Sequence, residues 1–208
     1  MPASSDRVVI FDLDGVLVDS TAAVERAWRW WARERGIAVD EVLAIAHGRA
    51  SRDVVRALAP HLDSDEEARR IDAWEAEHSR ALVAIPGAAE CVATARRGAW
   101  AVVTSGDREL ATGRLVGAGL PVPQVLVTAD DIERGKPDPE PYVRAARALG
   151  AAPRQCLVIE DAPPGIAAAK GAGMTVLAVI TTHSAPELRE ADRVLGSMHE
   201  VGECLRER

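Results

Sequence analysis

The chain has 208 residues, 25 basic against 32 acidic, for a formal net charge of −7. That length suits one sizeable domain, or one domain carrying a smaller insert, and the acidic balance opposes the clustered basic face that nucleic-acid binding needs. No apolar run nears the roughly 20 residues of a membrane span, the opening segment MPASSDR has no secretory pattern, and Cys91, Cys156 and Cys204 make neither a disulfide framework nor a zinc site, so a reducing cytoplasm is expected, with no nucleic-acid or membrane partner.

Short apolar runs at 8–11, 100–103, 125–127, 156–159 and 175–180 are rich in Val and Ile and apolar on both faces, as buried parallel strands are. Helical patterns at 88–97, 108–118, 140–149 and 165–172 alternate with them. The alternation predicts an α/β fold, a Rossmann-like parallel sheet with right-handed crossovers. One stretch breaks it. From 20 to 85 the pattern predicts helices at 21–35, 40–46, 51–58 and 64–84 and no strand, with Asp19 or Ser20 capping the first, Ser51 the third, and a Ser64/Glu67 capping box opening the fourth. We therefore expect a core formed by 1–19 and 85–208, and an inserted all-helical cap at 20–84. No element is assigned beyond Ile180.

The chemistry is expected at the carboxyl ends of the strands, where open α/β sheets bind ligands. Asp12-Leu13-Asp14-Gly15, Thr104-Ser105-Gly106-Asp107, Gly135-Lys136-Pro137-Asp138 and Glu160-Asp161 all follow predicted strands. Such crowded carboxylates repel one another unless a cation intervenes. Ligands offering only oxygen favour a hard ion, and Mg²⁺ pairs readily with phosphate. Thr104 and Lys136 suit phosphate oxygens, and a carboxylate can itself attack phosphorus. Asp107 is expected to cap the next helix, and Asp138 to orient Lys136 or cap the helix after it.

FDLDGVLVDS, VVTSG, RGKPDPEPY and VIEDAPPGIAAAKGAGM occur in this order. With these four segments the chain resembles the haloacid dehalogenase superfamily, in its subgroup with a helical cap, from Val8 to about Leu195. The resemblance implies a phosphatase that forms an aspartyl-phosphate. Asp12 would be nucleophile and metal ligand. Asp14 would be general acid, then base, with its carbonyl on Mg²⁺. Thr104 and Lys136 would hold the phosphoryl group, with the Ser105 amide beside them. Asp161 and Glu160 would complete the metal site, Glu160 directly or through water. The cap would close over a small phosphorylated metabolite and select its leaving group, hinged near 16–20 and 84–87. His47, Gly48 and Arg49 are candidates for contacting that group, and Trp28 for lining the cleft. Phosphosugar mutases of the same subgroup use a His in the first cap helix where this chain has Val24, which turns the expectation toward sugar and polyol phosphatases rather than a β-phosphoglucomutase; phosphoglycolate phosphatase shares the same core. A monomer or weak homodimer is expected.

Overall fold

The computed structural model describes residues 8–78, 82–96 and 99–207. The chain opens on β1 (Val8–Asp12) and the short β2 (Val18–Asp19). Four helices follow: α1 (Thr21–Arg35), α2 (Val39–Ala46), α3 (Ser51–Leu58) and α4 (Ser64–His78). β3 (Val83–Ala84) and α5 (Ala88–Ala95) return to the core. Then come β4 (Trp100–Val103), α6 (Arg108–Gly117), β5 (Val125–Val127), α7 (Glu140–Ala148), β6 (Cys156–Glu160) and α8 (Pro163–Gly171). β7 (Thr175–Val179), β8 (Arg193–Leu195) and α9 (Met198–Arg206) complete the chain.

Six strands form one parallel sheet in the order β5-β4-β1-β6-β7-β8. Successive residues of β1 face opposite ways, as the pleat demands. Val9 and Phe11 enter an apolar layer with α5, α6 and α9, whereas Val8 and Ile10 enter another with α7 and α8. Both faces are covered, which explains why these strands read as continuous apolar runs. The chain runs from β1 toward β4 and β5, then crosses to β6, β7 and β8 on the other side. The connections therefore diverge between β1 and β6, and that divergence opens a crevice at their carboxyl ends.

The cap has an apolar cluster of its own, built from Trp28, Trp31, Val42, Val54, Val55 and Ile71. Trp31 is fully buried, and its indole nitrogen donates to Glu67 Oε2 at 2.6 Å. Arg35 grips the same carboxylate through Nε at 2.7 Å and Nη2 at 2.6 Å, and Arg70 adds a bond at 2.9 Å. A buried carboxylate needs such pairing, and this one ties α1 to α4.

Several local expectations are corrected. Asp63, not Ser64, caps α4, its Oδ1 accepting from the amides of Asp65 and Glu66; Glu67 cannot reach back because Trp31 and Arg35 hold it. Ala50 rather than Ser51 occupies the N-cap of α3, and Ser51 instead donates to Asp72 at 2.9 Å. Ser20 does stand at the N-cap of α1, but its hydroxyl bonds Asp14 and not the helix. The predicted final cap helix gives way to β3, which pairs antiparallel with β2. The cap thus leaves and rejoins the core through one two-stranded ribbon at the expected hinge positions. Part of that predicted helix, 79–81, and Arg97 at the end of another lie outside the described residues, as does the segment 1–7.

Candidate active site

β1 delivers Asp12 to the crevice, 5% exposed. The chain then turns within a few residues. Leu17 and Val18 both donate to the Leu13 carbonyl, at 2.9 and 3.0 Å, and Gly15 donates to Val18 at 2.9 Å. Gly15 has φ +78°, and a Cβ there would lie 2.1 Å from Asp161 Oδ2. Only glycine satisfies both constraints. Leu13 is fully buried in the core, leaving Asp12 and Asp14 in the crevice as the alternation predicts.

Lys136 reaches the same place from the loop before α7. Its Nζ donates to Asp12 Oδ1 at 2.5 Å and Glu160 Oε1 at 2.6 Å, and the residue is 2% exposed. It also lies 5.3 Å from the centre of the Tyr142 ring. Burial disfavours its charge, but Asp12 and Glu160 outweigh burial and hold its pKa above the usual lysine range. For Asp12, burial outweighs Lys136 and, with Glu160 and Asp14 nearby, pushes the carboxyl up to about 7. Asp161 rises for the same reason, through burial first and then Glu160 and Asp12.

Glu160 is saturated. Oε1 accepts from Lys136 and from the Tyr142 hydroxyl at 2.6 Å, while Oε2 accepts from the amides of Asp161 and Ala162 at 3.0 and 3.2 Å. This folded-back pose requires Gly165 in α8, where a Cβ would fall 1.6 Å from Glu160 Oε1. Glu160 therefore positions Lys136, and contact with a metal, direct or through water, would require giving up one of these bonds. Oxygens of Asp12, Glu160 and Asp161 all lie within 4.8 Å of one another. Three buried carboxylates with two pKa values driven upward form a set that a divalent cation would relieve, so the residues fit Mg²⁺.

Asp14 faces a different group. Its Oδ1 accepts from Ser20 at 2.6 Å, and its Oδ2 accepts from Thr104 at 3.3 Å and Arg114 Nη1 at 2.6 Å. Thr104 is buried and also accepts from the Gly106 amide at 3.2 Å. Ser105 uses its hydroxyl, donating to the carbonyl of Gly48 in the cap at 3.1 Å. Asp107 caps α6 as expected, accepting from Leu110 at 2.7 Å. Asp138 accepts from the Glu140 amide at 2.9 Å, so it braces the start of α7; the Lys136 ammonium bonds Asp12 and Glu160 instead.

One cleft brings these residues together: Asp12, Asp14, Asp161 and Ser105 from the core face His47, Gly48, Arg49 and Trp28 from the cap. Val24 lines it too. His47 lies 3.9 Å from Glu25, and burial, then His183, holds its pKa below the usual range.

Five participants were not identified from sequence. Arg114, 4% exposed, bridges Asp14 of the core and Glu75 of the cap. An arginine on an amphipathic helix reads as solvated, and nothing local reveals its burial. Tyr142 offered a signal as the sole tyrosine, in the segment after Lys136. Thr182, whose hydroxyl donates to Asp161 Oδ2, follows the fifth apolar run and occupies a strand end like the other four clusters. Asp72 and Glu75 sit on α4 with their side chains toward the cleft.

The arrangement is that of a phosphotransferase crevice under a cap, and the comparisons agree. The model of the haloacid dehalogenase-like hydrolases matches residues 7–173, and the chain belongs to that family. It is 43% identical over 197 residues to hexitol phosphatase A of Escherichia coli (strain K12), covering 92% of this chain and 91% of that protein. It is 40% identical to the validoxylamine A 7'-phosphate phosphatase of Streptomyces hygroscopicus subsp. limoneus, covering 94% and 95%. A crystal structure of a hydrolase from Pseudomonas syringae superposes with a TM-score of 0.84 at 30% identity, over 97% of this chain and 98% of the other. Among the described residues, no helix is long and apolar enough to cross a membrane.

Proposed function

We propose that the protein hydrolyses the phosphate monoester of a sugar or polyol, with Asp12 as nucleophile. The observation that carries this reading is that Asp12 and Asp14 line one capped cleft, with Lys136 donating to Asp12 and Thr104 to Asp14 from just beneath it. An oxygen of Asp12 attacks phosphorus, and the bond from phosphorus to the ester oxygen breaks. Asp14 gives its proton to that oxygen, and the alcohol leaves. Asp14 then takes a proton from water, whose oxygen attacks the phosphorus and releases Asp12 with inorganic phosphate. Lys136 and Thr104 face the phosphoryl oxygens and offset their charge. Asp12, Asp161 and the Asp14 carbonyl would hold Mg²⁺, with Glu160 behind them; the ion would supply further neutralisation of the phosphate charge.

Two points support a phosphatase over a mutase. Val24 offers no proton relay where the mutases have one, and two relatives matched over more than nine-tenths of their length, at 43% and 40% identity, are named as phosphatases. The test is a panel of hexitol, hexose and glycerol phosphates with Mg²⁺, read as inorganic phosphate. Release is expected. Conversion of one phosphosugar into another without release would point to the mutase instead.

A further inference from the structure

The cleft also carries polar side chains of α4 and α6 which the chemistry above does not use. Asp72 and Glu75 of α4 and Arg114 of α6 line it. Three residues apart, Asp72 and Glu75 share one helix face. Ser51 donates to Asp72 at 2.9 Å. Arg114 donates to Glu75 through one nitrogen and to Asp14, at 2.6 Å, through another. Glu75 is 4% exposed.

Burial opposes charge on both carboxyls, raising Asp72 to about 7 and Glu75 above its usual range. Apolar side chains would serve the packing of a cap helix better, so their presence needs another reason. A second observation comes from Arg114. Its Nε is buried and has no hydrogen-bond partner among the described residues. A buried donor without an acceptor is unusual in a native fold, and this one belongs to a side chain lining the substrate cleft.

Three carboxyl groups, Asp14, Asp72 and Glu75, stand at the cleft against two guanidiniums, Arg114 and the half-buried Arg49. The single buried guanidinium is already shared by two carboxylates. A leaving group with its own negative charge would meet an unfavourable field. Hydroxyl groups would find two carboxyl acceptors on α4.

We propose that Asp72, Glu75 and Arg114 form the leaving-group subsite, binding the hydroxyls of an uncharged polyol and rejecting leaving groups that carry a carboxylate or a second phosphate. This rests on the phosphatase reading above.

The experiment compares kcat/KM for a hexitol phosphate with kcat/KM for phosphoglycolate and for a hexose bisphosphate, using p-nitrophenyl phosphate as reference. It is run on the wild type, Asp72→Asn and Glu75→Gln. Each ratio is taken within one preparation, so a smaller folded fraction cancels. The wild type is expected to favour the hexitol phosphate, and each variant to narrow the ratio by roughly tenfold, the scale of one hydrogen bond to a charged group. Equal or better use of the charged substrates by the wild type would overturn the subsite and give that part of the cleft to Arg49. An unchanged ratio in both variants would overturn it too. Failure of the wild type to turn over even p-nitrophenyl phosphate with Mg²⁺ would instead remove the phosphatase reading, and the subsite with it.

Discussion

Arg114 donates to Asp14 across 2.6 Å while its other terminal nitrogen holds Glu75, so the proposed acid and the cap share one side chain. Ser105 on Gly48 and Arg52 on the Ile132 carbonyl, at 3.1 and 2.8 Å, join cap to core as well, but among the described residues only Arg114 does so through an ion pair at the reacting centre. Lysine keeps the charge but cannot span two carboxylates as a planar fork does. Arg114→Lys is therefore expected to lower stability by about 2 kcal/mol and to speed amide exchange in α4. Urea unfolding and hydrogen-exchange mass spectrometry measure the two effects.

Glu160 is expected to act through Lys136. Glu160→Gln leaves a buried ammonium with Asp12 as its sole carboxylate partner. Losing one partner of a buried ion pair costs about 3 kcal/mol, visible as a lower urea midpoint at unchanged slope. Mg²⁺ binding, measured by calorimetry, should weaken much less than in Asp161→Asn. Equal weakening in the two variants would make Glu160 a direct ligand.

Gly15→Ala places a methyl group 2.1 Å from Asp161 Oδ2 and 2.8 Å from Thr182 Cγ2, at a φ of +78°. Asp161 must move. Disturbing the support of a metal ligand typically weakens binding about 10- to 100-fold, and Mg²⁺ titration should show a loss of that order. A wild-type Mg²⁺ affinity in this variant would remove Asp161 from the metal site.

Asp72 carries a pH dependence of defined sign. Its folded-state pKa, near 7 against 3.8 for the free group, is raised mainly by burial, then by Asp107 and Glu75, and opposed by Ser51 and Arg114. The folded protein therefore holds a proton that the unfolded chain has lost. The stabilisation is complete below about pH 4 and disappears as pH rises through 7. Asp72→Asn should accordingly be more stable relative to wild type at pH 8 than at pH 5. Urea melts at the two values test this, and an opposite trend would refute the assignment.

Asp12→Asn keeps the shape of the nucleophile and removes its reactivity. Phosphate release should fall below detection while circular dichroism stays native. Residual turnover in a pure sample would show that another group attacks phosphorus.

The sheet was legible because strands covered on both faces must be apolar along their length, and those at 8–11, 100–103, 125–127, 156–159 and 175–180 are. The short polar clusters after them were legible for the converse reason, since polar residues abutting such strands can only meet at their open ends. Two-residue strands carry no periodicity, so Val83–Ala84 was merged into a helix. β8 and α9 follow a turn-rich stretch at 180–192 that hides the last strand. Arg114 and Glu67 were hidden because a charged residue is buried only by its partner, and Glu75 and Arg35 lie 39 and 32 residues away.

The β2–β3 ribbon has an architectural consequence. Val18–Asp19 and Val83–Ala84 pair side by side, so the chain enters and leaves the cap at neighbouring points. The sheet closes its register without the intervening residues, and the cap packs around an apolar cluster of its own. An insertion of this kind behaves as a cassette. Grafting a cap from another family member between these two strands is expected to change what the enzyme accepts while leaving the strands that carry Asp12 in place, a route to new substrates without a new core.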